Sequence, residues 1–237
     1  MDLFKIFRKF NDIDETYIYT DNHIHSNWTD GEGSVMKILK RSAEIGLNQI
    51  AITEHVRKES KFFDKYCEQV KNAKKCFRLN ILEGFEAKID SFNGELDVSN
   101  DILKKAKLRI GSVHRFPVGR RLYCPNQFKK NVCQEIELEL SIAAIKNGHC
   151  DILGHPGGMS LRSYGEFPVH FFEEIISGCK KNKVIFEINA AYHKNILRKL
   201  KGMLKKYNPY ISIGSDAHKI EEIGGWIKVL KREIIDE

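Results

Sequence analysis

Seven apolar runs of strand length, at 17–22, 48–53, 80–86, 108–113, 150–154, 183–189 and 209–215, recur along the chain. Stretches of helical spacing and length lie between most of them, at 33–46, 60–77, 129–147, 168–181 and 194–206. Strands that alternate with helices in this way demand a parallel sheet, either open or closed into a barrel. Seven strands in 237 residues favour a barrel close to the eight-stranded type, built as one domain. Ser34 suits an N-cap and Gly46 a helix end, while 129–147 carries the apolar stripe Val132, Ile136, Leu140, Ala143 and Ala144 and stops at Gly148. Residues 87–106 read as a hairpin-like turn at Asn93-Gly94 followed by a short helix. Residues 1–16 read as an N-terminal addition that Phe4, Ile6, Phe7 and Phe10 pack onto the body formed by 17–237.

The apolar runs end on residues that carry chemistry. His23 and His25, followed by Asp30, close the first run, and His55 closes the second. Glu86, His114 and His155 end the next three, and Asp216 with His218 ends the last. In barrels and open α/β sheets, the carboxyl ends of the strands are where active sites are built. Strand side chains alternate, so His23 and His25 point to one side, as do Asp216 and His218. A single histidine at such a place is usually structural. Nine His, Asp and Glu residues at the ends of several strands point instead to a metal site.

Imidazoles mixed with carboxylates, without thiolates, suit zinc, manganese or iron. Nine donors exceed what one ion takes, so two or three closely spaced divalent ions are expected, with Glu86 as a natural bridge. Such clusters polarise a phosphoryl oxygen and lower the pKa of a bound water toward ~7. Arginines stand beside these positions: Arg115 after His114, Arg120 and Arg121 in the same loop, and Arg162 after His155-Pro156-Gly157-Gly158. The planar guanidinium fork binds phosphate oxygens, so these four are candidate substrate contacts. Asn189 at the end of its strand and His193 just beyond it are candidates on the same face. His149 and His170 read as structural or surface residues, and Trp28 and Tyr123, in loops of the same face, either as packing for a substrate's organic moiety or as core or rim aromatics.

The formal charge of +7 is compatible with nucleic acid, an anionic membrane surface or phosphorylated small molecules, and the scattered lysines read mainly as a solvated face. The six cysteines form no Cys-x-x-Cys pair and read as reduced thiols. No apolar stretch approaches the ~18 residues of a membrane span, and residues 1–10 lack the continuous apolar core of a secretory signal. A cytoplasmic protein without a membrane partner is expected.

The motifs Asp21-Asn-His-Ile-His25, Ile52-Thr-Glu-His55, Glu83-Gly-Phe-Glu86, Gly111-Ser-Val-His114, Gly154-His-Pro156 and Gly214-Ser-Asp-Ala-His218 resemble, in this order, those of the PHP (polymerase and histidinol phosphatase) family. The resemblance spans about residues 17 to 220. It implies a distorted (β/α)7 TIM-like barrel with a trinuclear metal centre and phosphoesterase activity of the histidinol-phosphatase kind. By position, it implies one ion held by His23, His25, Glu86 and Asp216, a second by Glu86, His114 and His155, and a third by Asp30, His55 and His218. Two departures stand out. Asp30 occupies a place where several relatives carry histidine, and Glu54 replaces the aspartate common before His55, where it is expected to orient an imidazole.

The chemistry that follows is in-line attack on phosphorus by water activated at the ions. Arg115 or Arg162 would neutralise the equatorial oxygens, and Asp216 or Asp30 would relay a proton. A phosphomonoester of a small metabolite, such as histidinol phosphate, a nucleotide or a sugar phosphate, is the leading substrate class. A phosphodiesterase or exonuclease acting on nucleic acid is the alternative within this chemistry, and a non-catalytic metal-binding module the alternative outside it. An amidohydrolase also begins with His-x-His on a barrel strand, but it bridges its metals with a lysine, where this chain has Glu86.

Overall fold

A computed structural model describes residues 2–119 and 121–236. Its core is a curled sheet of seven parallel strands: β1 (Thr20–Ile24), β2 (Gln49–Val56), β3 (Asn80–Lys88), β4 (Leu108–Ser112), β5 (Ile152–Gly154), β6 (Ile185–Asn189) and β7 (Tyr210–Gly214). They lie side by side in chain order, and the short segment Arg8–Lys9 adds an antiparallel strand at the β7 edge. The sheet closes only at one end. There Asp216 N–H donates to His23 O and His25 N–H to Ala217 O, both at 2.9 Å, joining β1 to the chain that leaves β7. At the other end Arg8–Lys9 pairs with Ile211 and Tyr210 along the same edge of β7. The result is a distorted barrel, as expected for one domain of alternating strands and helices.

Period-two alternation sorts the barrel interior into layers. At the bottom, Ala51, Leu82, Leu108, Ile110, Ile152 and Ile185 form a closed apolar cluster. Two residues further along each strand stand small or polar groups such as Thr53, Gly84, Ser112, Gly154 and Glu187. Two further again come His55, Glu86 and His114. Phe7, from the N-terminal segment, plugs the bottom by inserting among the apolar cluster, with only 2% of its surface exposed. Phe10 is buried as well, whereas Phe4 lies exposed against the Tyr210 ring. Truncating a buried phenylalanine leaves a cavity that costs about 3–4 kcal/mol. Phe7→Ala is therefore expected to lower the unfolding free energy by about that amount in a urea titration.

Helices cover the outside: α1 (Val35–Glu44), α2 (Phe63–Ala73), α3 (Asn100–Lys105), α4 (Lys130–Asn147), α5 (Gly158–Tyr164), α6 (Val169–Asn182), α7 (Ala190–His193), α8 (Leu197–Tyr207) and α9 (Ile227–Leu230). Ser34 caps α1 by accepting from Lys37 N–H, and α4 ends on Gly148 at φ 74°. The expected hairpin turn is present as an Ile89–Leu96 antiparallel bridge. One expectation needs correction. The buried face of α4 is centred on Cys133, Glu137, Leu140, Ser141 and Ala144, so it is rotated from the apolar stripe and includes a carboxylate. The Gly157-Gly158 pair opens α5, with Gly157 at φ 77° as its N-cap. Glu137 joins the two helices. Its buried carboxylate accepts from Met159 N–H at 2.9 Å, Ser160 N–H at 2.8 Å and Ser160 Oγ, filling the N-terminal end of α5. Among the described residues no helix is long and apolar enough to cross a membrane, and no cysteine is paired.

Candidate metal centre

All nine sequence-selected His, Asp and Glu side chains converge at the closed end of the barrel. They form three overlapping groups: His23, His25, Glu86 and Asp216; Glu86, His114 and His155; and His25, Asp30, His55 and His218. Glu86 belongs to the first two of these groups, with its two oxygens divided. Oε2 lies 3.5 Å from His23 Nε2 and 3.6 Å from His25 Nε2, and Oε1 lies 3.4 Å from His114 Nε2. Asp216 Oδ1 is 3.6 Å from His23 Nε2 and 3.2 Å from His25 Nε2. Asp30 Oδ2 is 3.4 Å from both His55 Nε2 and His218 Nε2.

These spacings carry information. Donors bound tetrahedrally at about 2.0–2.1 Å from an ion stand about 3.3–3.4 Å from one another. Most of the pairs above match that edge and are too long for a good charge-assisted hydrogen bond. Two pairs are shorter: His155 Nε2 approaches Glu86 Oε1 at 2.9 Å, and His55 Nδ1 approaches Glu86 Oε2 at 3.0 Å. Glu86 Oε2 and His23 Nε2 are buried without a hydrogen-bond partner, a costly state for polar atoms that a cation between them relieves. The donor set therefore fits divalent ions. His25 belongs to two of the groups, which the sequence did not suggest.

The electrostatics agree. Burial would raise the Glu86 carboxyl, but the His114, His23 and His55 imidazoles outweigh it and hold it well below the usual range. Burial opposes charge on His23, yet Glu187, Glu86 and Asp216 hold its imidazole well above the ordinary value. Burial drives His25 down to about 4. Concentrated carboxylates among imidazoles form a site that favours positive charge.

A second layer positions these donors, and much of it was not singled out from the sequence. Glu187, on β6, accepts from His23 Nδ1 at 2.7 Å and from His155 N–H at 2.5 Å, and its Oε2 also holds Asn189 Nδ2 at 3.1 Å. This leaves His23 Nε2 turned toward Glu86 and Asp216. Gly214 makes room for the pair, since a Cβ there would fall 2.3 Å from Glu187 Oε1 and 2.6 Å from His23 Cβ. His155 at φ 29° and Asp216 at φ 58° hold left-handed backbone that disfavours side chains, strain typical of functional positions. Glu54 does not orient an imidazole as expected. It accepts from Ser26 N–H at 3.0 Å and Thr29 Oγ1 at 2.6 Å, and so fixes the loop that carries Asp30. Partners that orient a ligating imidazole are worth about 10–100-fold in metal affinity. Glu187→Gln is expected to weaken metal binding by about that factor in a competition titration with a chelating dye, with unchanged circular dichroism.

The selected substrate contacts divide. Arg162, on α5, lines a cavity of about 350 Å³ whose wall includes Asp30, His55, Glu86, His114 and His218. Arg115 lines an adjoining cavity of about 550 Å³ that shares His114 and Arg162. Arg121 is exposed on the small hairpin formed by Phe116–Val118 and Arg121–Tyr123 and does not line the first cavity. Arg120 lies outside the described residues. Asn189 and His193 are not substrate contacts, because the fold consumes them. Both are fully buried. Asn189 Oδ1 accepts from Ala191 N–H, while His193 faces Pro156 O at 2.9 Å and Asn189 N–H at 3.1 Å. Trp28 stacks on Phe62, and Tyr123 meets Phe128 edge-on. His149 and His170 are exposed. Three residues missed in the sequence, Arg57, Lys88 and Tyr192, line the first cavity, with the Tyr192 ring 4.9 Å from that of His155. Arg57 directly follows Val56 on the loop that leaves a ligand-bearing strand, the one signal that could have found it.

Comparisons with known proteins bear on this site. The PHP domain family signature matches residues 21–213. A probable phosphatase of Clostridium novyi is 26% identical over 215 residues, which cover 86% of this chain and 79% of that protein. The DNA polymerase/3'-5' exonuclease PolX of Bacillus subtilis is 27% identical over 211 residues, covering 85% of this chain but 34% of that one. Among solved structures, a histidinol phosphate phosphatase from Lactococcus lactis, complexed with zinc, L-histidinol and phosphate, shares the fold. Its TM-score is 0.65 at 20% identity, over 89% of this chain and 92% of the other.

Proposed function

The chain belongs to the PHP domain family, and from that premise we propose a metal-dependent phosphomonoesterase that acts on a small phosphorylated molecule. The observation that carries this reading is the meeting of two donor groups on Glu86, with a third joined to them through His25, beside a cavity with Arg162 in its wall. Two ions would be held by His23, His25, Glu86 and Asp216 and by Glu86, His114 and His155, and a third by Asp30, His55 and His218, with His25 close by. Zinc, manganese or iron at such a centre supplies Lewis acidity toward a phosphoryl oxygen and lowers the pKa of water. The chain's own residues do the rest. Arg162 offers a guanidinium fork to the equatorial phosphate oxygens. Asp30, half-exposed at the mouth, or Asp216 would pass a proton toward the leaving group. Glu187 and Glu54 keep the donors in place so that little reorganisation accompanies the reaction.

The likeness to PolX supports a second reading, a phosphodiesterase or exonuclease. The test is a screen of phosphorylated metabolites, p-nitrophenyl phosphate and single-stranded DNA, with manganese, zinc or iron supplied and His114→Ala as the blank. Release of inorganic phosphate from monoesters supports the first reading, and nucleotide release from DNA supports the second. Cleavage of amides with no phosphate ester attacked overturns both.

A further inference from the structure

The charge around the centre is lopsided. Every carboxylate lining the first cavity (Asp30, Glu86 and Asp216) belongs to a donor group. Among the described residues the adjoining cavity has no carboxylate: His114, Arg115, Asn126, Arg162 and Ser163 supply its polar wall and Met159 an apolar surface. Nearby lysines are already neutralised, Lys88 by Asp97 at 3.2 Å and Lys58 by Asp90 at 2.7 Å. Arg57, Arg115 and Arg162 have no carboxylate partner among the described residues, and Arg57 lines only the first cavity. Arg115 meets only the Cys124 thiol, a weak acceptor that leaves its charge uncompensated. Arg162 is shared by the two cavities, whereas Arg115 belongs to the second alone. The second cavity adjoins the first through His114 and Arg162, so an ester whose phosphate sits at the donor groups can extend its alcohol portion toward Arg115.

We propose that this alcohol portion carries a second anionic group, a phosphate or a carboxylate, received by Arg115, an assignment that rests on the phosphomonoesterase reading. A guanidinium without a carboxylate partner beside a cavity binds such a group through two parallel hydrogen bonds. It also repels cations. An amine-bearing alcohol of the L-histidinol kind meets arginines and no free carboxylate, so the same chamber selects against it.

Inhibition of p-nitrophenyl phosphate hydrolysis by four six-carbon sugar phosphates tests this: glucose 6-phosphate, glucose 1,6-bisphosphate, 6-phosphogluconate and glucosamine 6-phosphate. The bisphosphate or the phosphogluconate is expected to inhibit at least tenfold more tightly than glucose 6-phosphate, and glucosamine 6-phosphate least. Which of the two leads tells phosphate from carboxylate. In Arg115→Gln the ratio of inhibition constants between the tighter anion and glucose 6-phosphate is expected to collapse toward one. Equal inhibition by all four, tightest inhibition by the amine, no inhibition at millimolar concentration, or a ratio unchanged in Arg115→Gln overturns the proposal. Absence of p-nitrophenyl phosphate hydrolysis under every metal condition instead counts against the phosphomonoesterase reading itself.

Discussion

Glu86→Gln is expected to lower kcat/KM toward phosphate esters by about 10³-fold or more, with the fold retained. The amide keeps the size of the carboxylate, so the packing around it survives. It removes the negative charge from the junction of two donor groups and turns one oxygen into a donor that no cation accepts. Outer partners of metal ligands already contribute about 10–100-fold, and a shared direct ligand must exceed that. Steady-state kinetics with metal analysis of the purified variant check the claim: metal content should fall by at least one equivalent. Wild-type kinetics with full metal content would show that Glu86 does not bridge ions.

Removal of the ions is expected to lower the melting temperature by about 8–16 °C. A ligand bound at 1,000 times its dissociation constant stabilises the native state by about 4.1 kcal/mol, and each kcal/mol is worth about 2–4 °C in a domain of this size. The physical source is the crowding of Glu86, Asp216 and their imidazoles in a buried space, with Glu86 Oε2 and His23 Nε2 unpartnered. Calorimetry with and without a chelator, followed by restoration with manganese or zinc, measures the difference. An unchanged transition would mean that no ion contributes to stability at this centre.

The donors were legible in the sequence because period two and strand ends jointly determine where such side chains point. His55, Glu86 and His114 each stand two places beyond a small or polar inward residue and four beyond an apolar one, and this pattern is written locally. Glu137 and Glu187 were not legible, since their partners are backbone N–H groups of residues 155, 159 and 160, brought near only by the fold. His193 misled for the converse reason. Its placement after a strand looks functional, but the backbone of Pro156 and Asn189 takes both ring nitrogens. The first strand was placed too early, at 17–22 rather than Thr20–Ile24. Tyr17 and Ile18 are apolar because they are buried ahead of the strand, where the Tyr17 hydroxyl donates to Ile211 O.

The most direct test of the account is anomalous diffraction at the manganese edge from crystals grown with that ion. The account requires at least two peaks, one among His23, His25, Glu86 and Asp216 and another among Glu86, His114 and His155, with Glu86 touching both. Crystals that bind manganese only elsewhere, leaving these donor groups without a peak, would contradict it.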